Sequence, residues 1–210
     1  MTTTATAAPT CVVFDLEPAA RRLDRLLDGV TDADLEAATP CEEFTVRDLL
    51  AHLVDLTAAF RDAARKRPGS EPGLPRTPAP PVLPGSWRWL LPQQLAALVD
   101  AWHQRDSWAG ETAVGGTVVP AGVAAQIALD ELVLHGWDLA RATGQTFACD
   151  RSSLQVVYAL LAPEADNPAR APMFGPVVDV PDGSSFLDRV VGLGGRDPRW
   201  SSRAAERHTR

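Results

Sequence analysis

Apolar residues recur at helical spacing along most of the chain, and the stripes break at glycines, prolines and capping residues. Leu16, Ala20, Leu23, Leu26 and Leu27 predict a first helix over Pro18 to Asp28, with Pro18 in the first turn, where its missing N–H is no loss, and Gly29 at the exit. Thr31 or Asp32 can cap a short turn to Leu35. Thr45-Val46-Arg47-Asp48 has the form that opens a helix, with Thr45 as cap and Asp48 at the positive end of the dipole. Phe44 and Leu49 are placed to staple that start, and Val46, Leu49, Leu50, Leu53, Val54, Leu56 and Phe60 carry the second helix to about Arg65. A third helix is predicted over Pro92 to Trp108 on Leu95, Leu98, Val99 and Trp102. Gly110 to Pro120 suits a short hairpin or an extended loop. The fourth helix, Pro120 to Thr143, is closed by Gly144 and is apolar nearly all round, as a central helix must be. A fifth, Arg151 to Ala162, is capped by Asp150, and a short helix over Ser184 to Val191 follows the loop that includes Pro172 to Asp182.

These elements predict an all-α bundle, and without strand–helix alternation a doubly wound sheet is not expected. Pro68 to Gly85 is too rich in proline for regular structure. It is either a mobile cover or a crossover long enough to let the third helix run parallel to the second. The expected organisation is a disordered lead-in over 1–15, one helical domain over 16–200 and a flexible tail over 201–210.

Two stripes depart from core composition. On the fourth helix Ala124, Ala128, Glu131, His135, Asp138 and Ala142 share a face, with Glu131 and His135 one above the other at i and i+4. On the second, His52 shares a face with Thr45, Asp48, Asp55, Leu56, Ala59 and Ala63. Small residues around polar ones leave room for a cavity. Carboxylate oxygen and imidazole nitrogen are ligands for zinc and similar ions, and three protein ligands with an open position make a catalytic site. By spacing alone Glu131 and His135 serve equally as a helical ion pair, and His52 as a hydrogen-bonded boundary residue. Asp48 and Asp138 sit one turn from His52 and His135, where they could orient an imidazole, although Asp48 serves equally as a cap. Arg141 could hold an anionic substrate, pair with Asp138 or simply face solvent. His103 is expected at the surface, His208 in the tail and Trp137 in packing.

The net charge of -7 argues against nucleic acid as the main partner, and Arg65-Lys66-Arg67 suits a solvated helix C-terminus. No apolar run approaches the roughly 20 residues that span a bilayer, and Met1 to Pro9 lacks the basic start of a secretory signal. Cys11, Cys41 and Cys149 are too few and scattered for a disulfide framework, which favours a reducing cytoplasm. Cys41 lies close in sequence to the second helix, and is expected to be a buried structural thiol near the ligand end.

Thr39-Pro40-Cys41, Phe44 and Thr45 to Leu53, together with Glu131 to Gly144, resemble blocks of the DinB-like metal-binding superfamily, in the branch related to the N-terminal domain of mycothiol-dependent maleylpyruvate isomerase. The closing Gly195 to Trp200 is similar to that of actinobacterial members. The resemblance runs from about Leu16 to Trp200, with Phe44 where tryptophan is usual. It implies a four-helix bundle with a long crossover and a divalent metal, zinc first with nickel or another ion as alternatives, on His52, Glu131 and His135. The isomerase branch has glutamate at the Glu131 position, where many members have histidine. The resemblance further implies mycothiol as cosubstrate and an electrophile as its target. The isomerase also has a C-terminal domain that helps complete its active site, and the chain is expected to lack it and with it the isomerisation itself. The expected function is therefore a metal-dependent thiol transferase or isomerase-like enzyme. The alternatives are a metal-dependent hydrolase with Asp48 as base, or a metal- or ligand-binding protein without activity. A homodimer is compatible with such a bundle.

Overall fold

The computed structural model describes residues 13–42, 44–67, 82–170 and 174–202. The expectations for the N-terminal lead-in, for most of the proline-rich segment and for the tail with His208 lie outside them.

Among the described residues, six α-helices and one hairpin form the fold: α1 (Glu17–Leu27), α2 (Val46–Ala64), α3 (Trp87–Trp102), β1 (Glu111–Val114), β2 (Thr117–Pro120), α4 (Ala121–Ala142), α5 (Arg151–Leu161) and α6 (Phe186–Leu193). Most boundaries fall within a residue or two of the sequence expectation. The start of α2 is a reciprocal cap: Asp48 N–H donates to Thr45 Oγ1 at 3.2 Å, and Thr45 N–H donates to Asp48 Oδ2 at 3.0 Å. The hairpin turn is Gly115-Gly116, with φ of +57° and +81°, the left-handed geometry that a two-residue hairpin turn requires.

The third helix is the main correction. It begins five residues before Pro92 and ends at Trp102, and Arg105–Trp108 form a separate 3-10 turn. Trp87 and Leu91 extend the stripe of Leu95, Leu98 and Trp102 backwards at helical spacing, and all five are buried. Burying that indole and isobutyl group stabilises the early start more than the single backbone hydrogen bond lost at Pro92 destabilises it.

Helices α1 to α4 form the bundle. Each of α1 and α2 packs against both α3 and α4, so α1 and α2 stand diagonally opposite. Thr57 on α2 donates to Gln94 on α3 at 3.0 Å, and Ala64 to Arg67 meet Asp100, Ala101 and Gln104 around a cleft further on. The two helices therefore advance together and run parallel, which the long crossover permits. Thr112 of β1, paired with Val119 next to the start of α4, donates to the Ala63 carbonyl at the end of α2 at 2.7 Å, so α4 runs against α2. Gln145, just after α4, donates to the Leu26 carbonyl at 3.0 Å, so α1 and α4 end together. The core is aliphatic, with Leu23, Leu49, Leu53, Leu98, Leu129 and Leu132 fully buried. One end of the bundle thus gathers the starts of α2 and α3 and the ends of α1 and α4. The candidate site lies towards that end. Among the described residues no helix is long and apolar enough to cross a membrane.

Candidate functional site

His52 lies in the second turn of α2, and Glu131 and His135 lie one turn apart in the second half of α4. The antiparallel packing of α2 on α4 brings the three together. Glu131 Oε2 is 3.3 Å from His52 Nε2 and 3.0 Å from His135 Nε2. The two imidazole rings meet edge to face with centroids 4.9 Å apart. His135 is buried, whereas the His52 and Glu131 side chains are 32% and 26% exposed, so the cluster opens to solvent on their side.

His135 is held from behind. Its Nδ1 is 3.0 Å from Asp138 Oδ2, and the Arg196 guanidinium donates to the same oxygen at 3.2 Å. Asp138 is fully buried, and its Oδ1 has no hydrogen-bond partner among the described residues. Burial alone would lower the pKa of His135. The hydrogen bonds to Asp138 and Glu131 outweigh it and push the imidazole up to about 9. Burial likewise opposes ionisation of Glu131, but the two histidines outweigh it and hold the carboxyl well below the usual range. Asp130, next to Glu131 on α4, is pushed up to about 8 by burial and then by the Glu131 charge, which outweigh the Arg196 and His135 charges.

The donor set fits a divalent ion. With zinc–ligand bonds of about 2.0–2.1 Å, neighbouring ligand atoms of a tetrahedron lie about 3.3–3.4 Å apart, close to the separations seen here. Each candidate ligand offers one atom to a common point, all within 4.8 Å of one another. The Asp138 bond to Nδ1 leaves Nε2 to face that point, the usual arrangement behind a metal-bound histidine. Cys41, His135 and Asp138 are a second close group, but the Arg196 cation on Asp138 disfavours another positive charge there. Asp15, Glu17 and His103 form a third, at the surface where His103 was expected, with His103 Nε2 3.1 Å from Asp15.

Of the two roles left open for Asp48, orienting His52 or capping α2, its carboxylate takes the cap, accepting from Thr45. Arg141 neither pairs with Asp138 nor faces free solvent: it donates to the Trp200 carbonyl at 3.0 Å, with its guanidinium 5.8 Å from the Trp137 ring. Phe44 packs against the core at the start of α2, and its ring also lies 5.4 Å from that of His52 and 6.3 Å from that of His135, where it walls the cluster. Cys41 is half-buried beside His135 and Asp138, and Trp137 is buried in packing. Sequence reasoning missed Asp130 and Arg196. Asp130 breaks the apolar pattern of a buried face, a signal that was available, whereas nothing in the spacing of Arg196 ties it to α4.

Six α-helices with a four-helix core and one small hairpin, among the described residues, make this an all-α fold of the DinB-like class. The chain belongs to the family described as mycothiol maleylpyruvate isomerase N-terminal domain, whose model matches residues 16–140. Among solved structures it is similar to the mycothiol-dependent maleylpyruvate isomerase at 22% identity and to a histidine-to-alanine mutant of that enzyme at 20%. Each has a TM-score of 0.55 and covers 70% of this chain. The chain spans 66% of each of those proteins, just under two thirds of their length. No curated protein sequence matches it.

Proposed function

We propose that His52, Glu131 and His135 hold a divalent metal, zinc in the first instance, and that the protein is a thiol-using transferase or isomerase-like enzyme. The observation that carries this reading is the convergence of two imidazole nitrogens and one carboxylate oxygen, from two helices, on one half-open point. A zinc ion at that point would act as a Lewis acid and favour the thiolate of a bound thiol. Two neutral imidazoles and one carboxylate leave the centre with a net positive charge, suited to an anionic sulfur. The chain's own residues then have separate tasks. Asp138 fixes the His135 ring, Phe44 walls the cluster on one side, and the exposed flank of His52 and Glu131 admits the cosubstrate. The family supports a mycothiol-type thiol and a small electrophile as the reacting pair.

A hydrolytic enzyme would need a general base outside the ligand set. Asp48 was the candidate, and its carboxylate is bound in the helix cap, so thiol chemistry is the better supported reading. The test is elemental analysis of wild type and His52→Ala, followed by incubation of the metal-loaded protein with mycothiol and small electrophiles. Stoichiometric metal on wild type, its loss in the variant and metal-dependent thiol consumption are expected. A wild-type protein that takes up no metal after loading sinks the proposal.

A further inference from the structure

Beyond α6 the chain turns back over α4, and three residues of one α4 stripe each receive it. Gly194 presses on Leu134 so closely that a Cβ there would lie 2.7 Å from Leu134 Cδ1. Arg196 pairs with Asp138, and the Trp200 carbonyl accepts from Arg141. Leu134, Asp138 and Arg141 stand at i, i+4 and i+7, a single face beside that of the ligands. The middle anchor, Asp138, is hydrogen-bonded to the cluster through His135.

From this geometry we infer that Arg196 is a positioning residue of the metal centre: it holds the Asp138 carboxylate against His135 Nδ1, so that Nε2 is presented to the metal. The inference rests on the metal reading above. Arg196 is itself buried and bent back on its own segment, with Nη1 donating to the Gly194 carbonyl at 2.6 Å. Its guanidinium therefore has one place to go. Asp138 is fully buried and uses a single oxygen, Oδ2, for both Arg196 and His135. Without the guanidinium that buried carboxylate would be left with His135 as its partner and held from one side only. A bond from each side fixes the oxygen, the oxygen fixes the ring, and the ring fixes Nε2. Arg196 is 58 residues from Asp138 in sequence and lies beyond residues 16–140, which the family model matches. The segment after α6 thus supplies a part of the centre that the bundle lacks.

The experiment compares wild type with Arg196→Met, Arg196→Lys, Asp138→Asn and Arg141→Met, each stripped of metal. Zinc affinity is read by competition with a chromophoric chelator, cobalt(II) absorption reports the ligand geometry, and circular dichroism of the metal-free proteins verifies folding. Arg196→Met and Asp138→Asn are expected to lose about 10–100-fold in zinc affinity and to shift the cobalt spectrum. Arg196→Lys should recover part of the loss. Arg141→Met, which frees the same segment at Trp200 without touching Asp138, should stay within about threefold of wild type. If Arg196→Met does not fold, Arg196→Gln carries the test with the same expected loss. Wild-type affinity and spectrum in the Arg196 variant overturn the inference, as does an equal loss in Arg141→Met, which would make segment docking the cause. Failure of wild type to bind zinc overturns the metal reading itself and this inference with it.

Discussion

Replacing Asp48 by alanine separates two roles that its position allows. In the structure its Oδ2 accepts from the Thr45 backbone N–H at 3.0 Å and from the Thr45 hydroxyl at 2.5 Å, while its own N–H donates to that hydroxyl. The variant removes the acceptor and a negative charge from the first turn of α2. Loss of a helix cap costs about 0.5–2 kcal/mol, and a first-turn carboxylate adds about 0.3–1 kcal/mol. A combined loss of about 1.5 kcal/mol lowers the melting temperature of a chain this size by about 3–6 °C. Thr45→Ala should cost a similar amount. The double variant should cost clearly less than the sum, because the two side chains satisfy each other. His52 is in the next turn of the same helix, and among the described residues its hydrogen-bond partner is Glu131, not Asp48, so zinc affinity should change by less than about threefold. Thermal or urea melting of the four proteins, with chelator competition on each, gives both readouts. A loss of about tenfold or more in zinc affinity with little loss of stability would refute the capping assignment and return Asp48 to the metal centre.

Other outcomes follow from the same geometry. In the metal-free protein His135 is raised to about 9, so its contribution to stability is complete below its unfolded value of 6.5 and is lost as pH rises through 9. Melting temperature of the chelated protein should therefore fall between pH 7 and 10, and His135→Gln should flatten that decline; an unchanged slope in the variant would contradict the assignment. Lys66 follows the end of α2 with φ of +52°, its N–H and that of Arg67 closing the helix on the Ala63 and Asp62 carbonyls. Lys66→Gly should stabilise by about 1 kcal/mol in urea melts, and a loss of stability would mean that the Lys66 ammonium bond to the Glu111 carbonyl outweighs the backbone strain. Burial, and then the Asp150 charge, push the Cys149 thiol up to about 12. Peptide mapping after iodoacetamide at pH 8 should find Cys149 unmodified in the folded protein and alkylated in denaturant.

A metal held as proposed would have to displace the protons by which Glu131 joins the imidazoles of His52 and His135. The cost of those protons, and the stiffness of the His135–Asp138–Arg196 row behind them, would then set how tightly an ion is held.

Local information was enough for most of the bundle. The Thr45 and Asp150 caps, the glycines of the hairpin and the apolar stripes act within a few residues of one another, and the chain's own order carries them. The i,i+4 pair of Glu131 and His135 was visible for the same reason, since one helix turn fixes their separation. Where a longer-range interaction competed, the local signal misled: Pro92 marks a helix start by propensity, yet burial of Trp87 against the bundle moved that start back to residue 87. Tertiary structure alone decided that α2 runs against α4, which carries His52 to within 3.3 Å of a carboxylate 79 residues away. It also decided that Asp48 turns to its cap, that Phe44 turns to the imidazoles, and that Arg196 rather than Arg141 reaches Asp138. These choices depend on which buried charge finds a partner and which apolar face finds cover, and both are settled only when distant segments meet.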